Sequence, residues 1–129
     1  MCWRNFARLT RVSESKILGS FRMNNDHRKA QELSSQANLL MDNGKMPEAR
    51  KLFFQAAKLE ELAIQQTPDS QPRTKGILAV SFVAMLFKAR RYNYALTVID
   101  VHLKQYLLPS ARKALNDIRK SIRKLQKRK

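Results

Sequence analysis

Between Ala30 and Leu125 the apolar residues recur every three or four positions in five successive stretches. That spacing gathers side chains on one face of an α-helix. Ala30, Leu33, Ala37, Leu40 and Met41 define the first face and predict a helix over about 27–42, with Asn25 or Asp26 as its N-cap. Asn43-Gly44 ends it, because glycine tolerates the left-handed backbone that closes a helix. A second helix over about 47–66 begins at Pro47, whose missing N–H costs nothing there, and Glu48 complements the helix dipole. It carries Leu52, Phe53, Ala56, Leu59, Leu62 and Ala63 inward, and "TPDSQP" breaks the chain after it. The third, about 73–89, contains "ILAVSFVAMLF" and has no polar face, so it belongs in the middle of a packed array. A fourth runs to about residue 106 with Ala95, Leu96, Ile99 and Leu103 inward. The fifth starts near Ser110 with Ala111, Leu115, Ile118, Ile122 and Leu125 as one stripe. No segment reads as a strand. The expected class is all-α: antiparallel helical hairpins with a C-terminal capping helix.

Composition agrees. The chain has 129 residues, enough for one domain, and only three Gly and four Pro against many good helix formers. Its single cysteine, Cys2, excludes an intrachain disulfide and fits a reducing compartment, so a cytoplasmic location is expected. The longest apolar run, Ile77 to Phe87, would cover about 16 Å as a helix, about half of a bilayer core. The net charge of +16 is unevenly placed. Residues 1–22 carry net +4, residues 23–110 again +4, and residues 111–129 carry +8. The chain therefore divides into a basic arm over 1–22, a helical body over 23–109 and a basic amphipathic helix over 110–129. The arm lacks helical periodicity and reads as disordered, as a targeting peptide, or as an extension upstream of a start at Met23.

The turns carry a further pattern. Gly44-Lys45-Met46-Pro47-Glu48-Ala49 is matched forty-six residues later by Arg90-Arg91-Tyr92-Asn93-Tyr94-Ala95. Each places a bulky residue (Met46, Tyr92) three before a small one (Ala49, Ala95) at the head of a second helix. This repeated helix–turn–helix resembles the tetratricopeptide repeat family over Lys29 to about Leu108. In the first copy Ala37, Gly44, Met46, Glu48, Ala49, Phe53 and Ala56 match family positions. In the second Tyr92, Ala95 and Ile99 match, while Val83, Arg90 and His102 depart from the pattern. The hairpin of the microtubule-interacting and transport family would also accept the first copy. The resemblance implies two hairpins stacked as a short right-handed superhelix, with the first helices lining a groove that holds a peptide or a helix. Its expected partner-binding residues are Asn38, Met41, Val80, Ala84 and Phe87.

Two functional classes follow. The first is a non-enzymatic protein-interaction scaffold or adaptor that uses the groove, which is either open or filled from within. The second is a nucleic-acid- or ribosome-associated protein that meets polyanions, whether nucleic acid or an anionic surface, through residues 111–129: Arg112, Lys113, Arg119, Lys120, Arg123, Lys124, Lys127 and Arg128. Aromatics are absent from 110–129, which argues against stacking on single strands. Catalysis and cofactors are not expected. His27 and His102 sit on different helices without metal-ligand spacing, Glu60 and Glu61 are adjacent and point apart, and no glycine-rich phosphate loop occurs.

Overall fold

The structure, a computed structural model, describes residues 25–105 and 107–127. It is all-α. The elements are α1 (Asn25–Asp42), α2 (Met46–Gln65), α3 (Pro72–Lys88), α4 (Tyr92–Leu103) and α5 (Pro109–Lys127), with no strand among the described residues. Residues 1–22 lie outside that range, as does Arg128.

Small side chains set how closely α1 and α2 approach. Ala30, Ala37, Ala49, Ala56, Ala57 and Ala63 are all fully buried or nearly so, and a methyl side chain lets neighbouring backbones come close. Gly44 closes α1 at φ 79°, its N–H bonding to Met41 O at 3.0 Å while Lys45 N–H reaches Leu40 O at 2.8 Å. This pair of bonds satisfies carbonyls that the helix end would otherwise orphan.

The α3–α4 turn has the same geometry. Arg90 takes φ 60°, its N–H bonds to Phe87 O at 3.0 Å, and Arg91 N–H reaches Leu86 O at 2.9 Å. Lys45 and Arg91, the residues that enter the next helix, share φ −90° and have ψ 67° and 63°. The turn pattern read from the sequence is thus a repeated backbone conformation, in which arginine occupies the place of glycine.

Helix α3 is the centre of the molecule. Every residue from Leu78 to Leu86 is buried, as its all-round apolar sequence requires. Helix α2 covers one side of it, while α4 and α5 cover others. Tyr94 of α4 joins the hairpins, edge-on to Phe54 of α2 at 6.4 Å and to Phe82 of α3 at 6.0 Å between centroids. Its hydroxyl donates to Glu61 at 3.0 Å and accepts from Lys58 at 3.2 Å. The main core joins Ala56 and Ala57, most of α3, Ala95, Val98 and Ile99, and Leu115, Ile118 and Ile122. A smaller cluster of Ala37, Ala49, Phe53 and Ala89 lies beside the first turn.

Helix α5 folds back along α4. Gln126 donates to Asn93 at 3.1 Å, Arg119 to Asp100 at 3.4 Å and Arg112 to Leu103 O at 3.1 Å. Near its start it crosses α3 so tightly that a Cβ on Gly76 would lie 2.9 Å from Ala111 Cβ.

Helix limits differ slightly from those expected. Helix α4 stops at Leu103 instead of about residue 106, and the Arg112 guanidinium takes up the carbonyl left at that end. Asn25 is already helical, and its Oδ1 accepts from Arg28. Pro109 begins α5, where its missing donor is harmless.

Candidate functional site

The groove positions taken from the family resemblance are unevenly available. Val80 and Ala84 are only 6% and 4% exposed and belong to the main core. Phe87 is half-buried, packing on that core with its ring 5.8 Å from Tyr92. Met41 is half-buried against the smaller cluster, and Asn38 is half-buried on the same helix. Asn38 Oδ1 is closed off from solvent with no hydrogen-bond partner, and so is Arg50 Nε on α2. The structure therefore keeps Asn38 and Met41 near the surface of α1 and sinks Val80 and Ala84 into the interior.

Helix α5 sorts its residues sharply. Ala111, Ala114, Leu115, Ile118 and Ile122 are buried, and Leu125 is half-buried. At about 100° per residue, Arg112, Lys113, Arg119, Lys120, Arg123, Lys124 and Lys127 fall in a sector roughly 140° wide on the side away from that stripe. All of them are exposed except Arg119, which is half-buried. Two are held by acids: Lys113 pairs with Asp117 at 3.4 Å and Arg119 with Asp100 at 3.4 Å. Lys120, Arg123, Lys124 and Lys127 have no acidic partner among the described residues. The exposed Arg90 and Arg91 of the α3–α4 turn lie toward the same end of the molecule, since Gln126 bonds to Asn93 just beyond them. The outcome is a surface of one sign laid along a rigid helix.

A buried polar pair was missed in the sequence. His27 Nδ1 of α1 lies 2.7 Å from Glu60 Oε1 of α2, with His27 6% exposed and Glu60 sealed completely. Burial pushes the Glu60 carboxyl above its ordinary value, against the opposing pull of His27 and of the buried Ser81 hydroxyl. Glu60 Oε2 has no well-formed hydrogen bond. A signal existed: Phe53, Ala56, Ala57, Glu60 and Ala63 follow helical spacing, so Glu60 occupies a core position of its stripe. His27, Ala30, Ser34 and Ala37 do the same on α1. With all three groups shut from solvent, no substrate reaches them, and the pair pins α1 to α2.

A cleft of about 340 Å³ lies at the opposite end of α3 from its turn, lined by Ile64, Asp69, Pro72, Lys75, His102, Gln105 and Leu107. Asp69 and Lys75 pair at 2.5 Å across it. Burial lowers the pKa of His102 and favours neutral imidazole. None of the five groove residues lines this cleft. Among the described residues no three His, Cys, Asp or Glu side chains gather to hold a metal ion, and no helix is long and apolar enough to cross a membrane.

No protein-family model, curated protein or solved structure matches the chain.

Proposed function

We propose that the chain is a non-enzymatic binding module that docks a polyanion through α5. One observation carries this reading: seven cationic side chains share one outward sector of α5, and four of them have no acid to neutralise them. Like charges so close together raise the local potential, and a multivalent anion relieves it while releasing its own counterions. The apolar side of α5 is occupied by the core, so the charged side is the one available for binding.

The test is binding of fluorescent polyphosphate or heparin across a salt series. Each anionic group neutralised contributes about 0.7 to the slope of log affinity against log salt on a single-chain polyanion. Replacing Lys120, Arg123, Lys124 and Lys127 together by Gln should reduce the slope by about 3. An unchanged slope sinks the reading.

A tetratricopeptide-like interaction surface on the first hairpin is the second reading. It is favoured by the half-buried Met41, which stays near the surface of α1 beside Asn38 instead of sinking into the core. Val80 and Ala84 contribute little to it, being core residues. In that case Met41→Glu abolishes capture of a protein partner while the fourfold Gln variant of α5 retains it.

A further inference from the structure

Resting on the polyanion reading, we propose that α5 is built for double-stranded, B-form DNA, which it holds by the phosphates without reading sequence. The cations fall into two rows. Arg112, Arg119 and Arg123 follow one edge of the outward sector; Lys113, Lys120 and Lys124 follow the other, each one residue later. Arg112 bonds to Leu103 O, Arg119 to Asp100 and Lys113 to Asp117, which leaves Arg123 in the first row and Lys120 and Lys124 in the second without such a partner among the described residues. With about 100° between adjacent residues, the rows run parallel along the helix and splay to opposite sides. Lys127 stands between them near the C-terminal end.

Two rows of charge suit two strands. An α-helix with its side chains is about 10–12 Å across, which matches the roughly 12 Å width of the B-DNA major groove. Each row then faces one of the phosphate backbones flanking the groove. Arg112 to Lys127 spans about 23 Å, a length over which duplex DNA presents about 13 phosphates. A-form RNA closes its major groove to a deep, narrow cleft, so the same two rows cannot straddle it.

The other polyanions lack a matching feature. Recognition of single strands relies on aromatic platforms for the bases, and 110–129 contains none. A lipid surface needs apolar side chains to enter the headgroup layer. Those of α5 are inside: Leu115, Ile118 and Ile122 are sealed completely. The large exposed hydrophobics among the described residues, Leu39, Leu62 and Val101, are on other helices. With both rows of cations directed to the phosphates, little is left between them to read base edges. Asn116 is the one neutral polar residue in the outward sector, and its Oδ1 is engaged by Arg119.

The experiment uses the full chain and four labelled probes: a DNA duplex of about 20 base pairs, the corresponding RNA duplex, either DNA strand alone, and phosphatidylcholine vesicles containing phosphatidylserine. The DNA duplex should bind most tightly, equally for two unrelated sequences. A fourfold rise in salt should weaken duplex binding about 100-fold if four phosphates are engaged. Lys120→Gln combined with Arg123→Gln, one member of each row, should cut duplex affinity at least as much as Lys120→Gln with Lys124→Gln, which removes two cations from one row and leaves there only Lys113, paired with Asp117. Arg28→Gln with Lys29→Gln, on α1, should change nothing. Equal or tighter binding of single-stranded DNA, RNA duplex or vesicles overturns the duplex assignment and leaves the broader polyanion reading intact. Failure to bind any of the four, with heparin also unbound, removes both.

Discussion

The two hairpins share a turn and differ in what surrounds them. Gly44 and Arg90 adopt left-handed backbone at φ 79° and 60°, and the same two hydrogen bonds close the helix in each case. Yet α1 packs chiefly against α2 and leaves Leu39 64% exposed, whereas α3 is enclosed by α2, α4 and α5. Local backbone geometry therefore does not fix how deeply a hairpin is buried. Side-chain distribution does: α1 offers a narrow stripe of small residues, while α3 is apolar on every side and requires neighbours all round.

The strongest way to break this contrast is to damage the cover on the second hairpin. Ile118 of α5 is sealed in the core, so Ile118→Ala should cost about 2–5 kcal/mol in urea unfolding. Met41→Ala beside the first turn, where the side chain is half-buried, should cost distinctly less. Equal losses would show that the first hairpin is as tightly enclosed as the second.

Gly76→Ala comes next. The added methyl would meet Ala111 at 2.9 Å, so α3 and α5 must separate, at an expected cost of about 1–3 kcal/mol. Ala111→Gly in the same chain should recover much of that loss. A double variant no more stable than Gly76→Ala alone would place the strain elsewhere.

The turns themselves give a smaller pair of effects with opposite signs. Arg90→Gly relieves a left-handed side-chain conformation and should stabilise by up to about 1 kcal/mol, whereas Gly44→Ala should destabilise by a similar amount. Thermal melts check both; shifts of the same sign would deny the equivalence of the two turns.

A change with pH is expected at Glu60. Its folded pKa is raised above the ordinary 4.5 by burial, so its protonated form is favoured on folding. The resulting contribution is complete below about 4.5 and is lost as pH rises through the higher folded value. Stability measured by urea unfolding should therefore decline across that window, and Glu60→Gln, which mimics the neutral acid, should flatten the decline. A decline of the same size in the variant would assign the effect to other groups.

Much of the architecture was legible in the residues. The periodicity of Ala30 to Met41, the all-round apolar third helix and the Ala111–Ile122 stripe each gave a helix and its buried side. The paired turn motif found a real backbone repeat, even though Arg90 stands where a glycine would be easier. Helix limits were less legible: α4 ends early, and the carbonyls there are met by Arg112, nine residues beyond Leu103. The His27–Glu60 pair is harder to see in the residues, because Glu60 and Glu61 are alike in type and only the place of Glu60 in the Phe53–Ala63 stripe marks it as buried. Depth was the hardest quantity to read. Val80 and Ala84 fit a groove by pattern, but whether an apolar face is open or covered depends on which distant segment folds over it.

Because α5 is locked to the body by Leu115, Ile118 and Ile122, the backbone positions that carry its cations stay close together when no ligand is present. The molecule at rest carries their mutual repulsion as a standing tension. Added salt alone should therefore raise its melting temperature, and a bound polyanion should raise it further by removing the same repulsion.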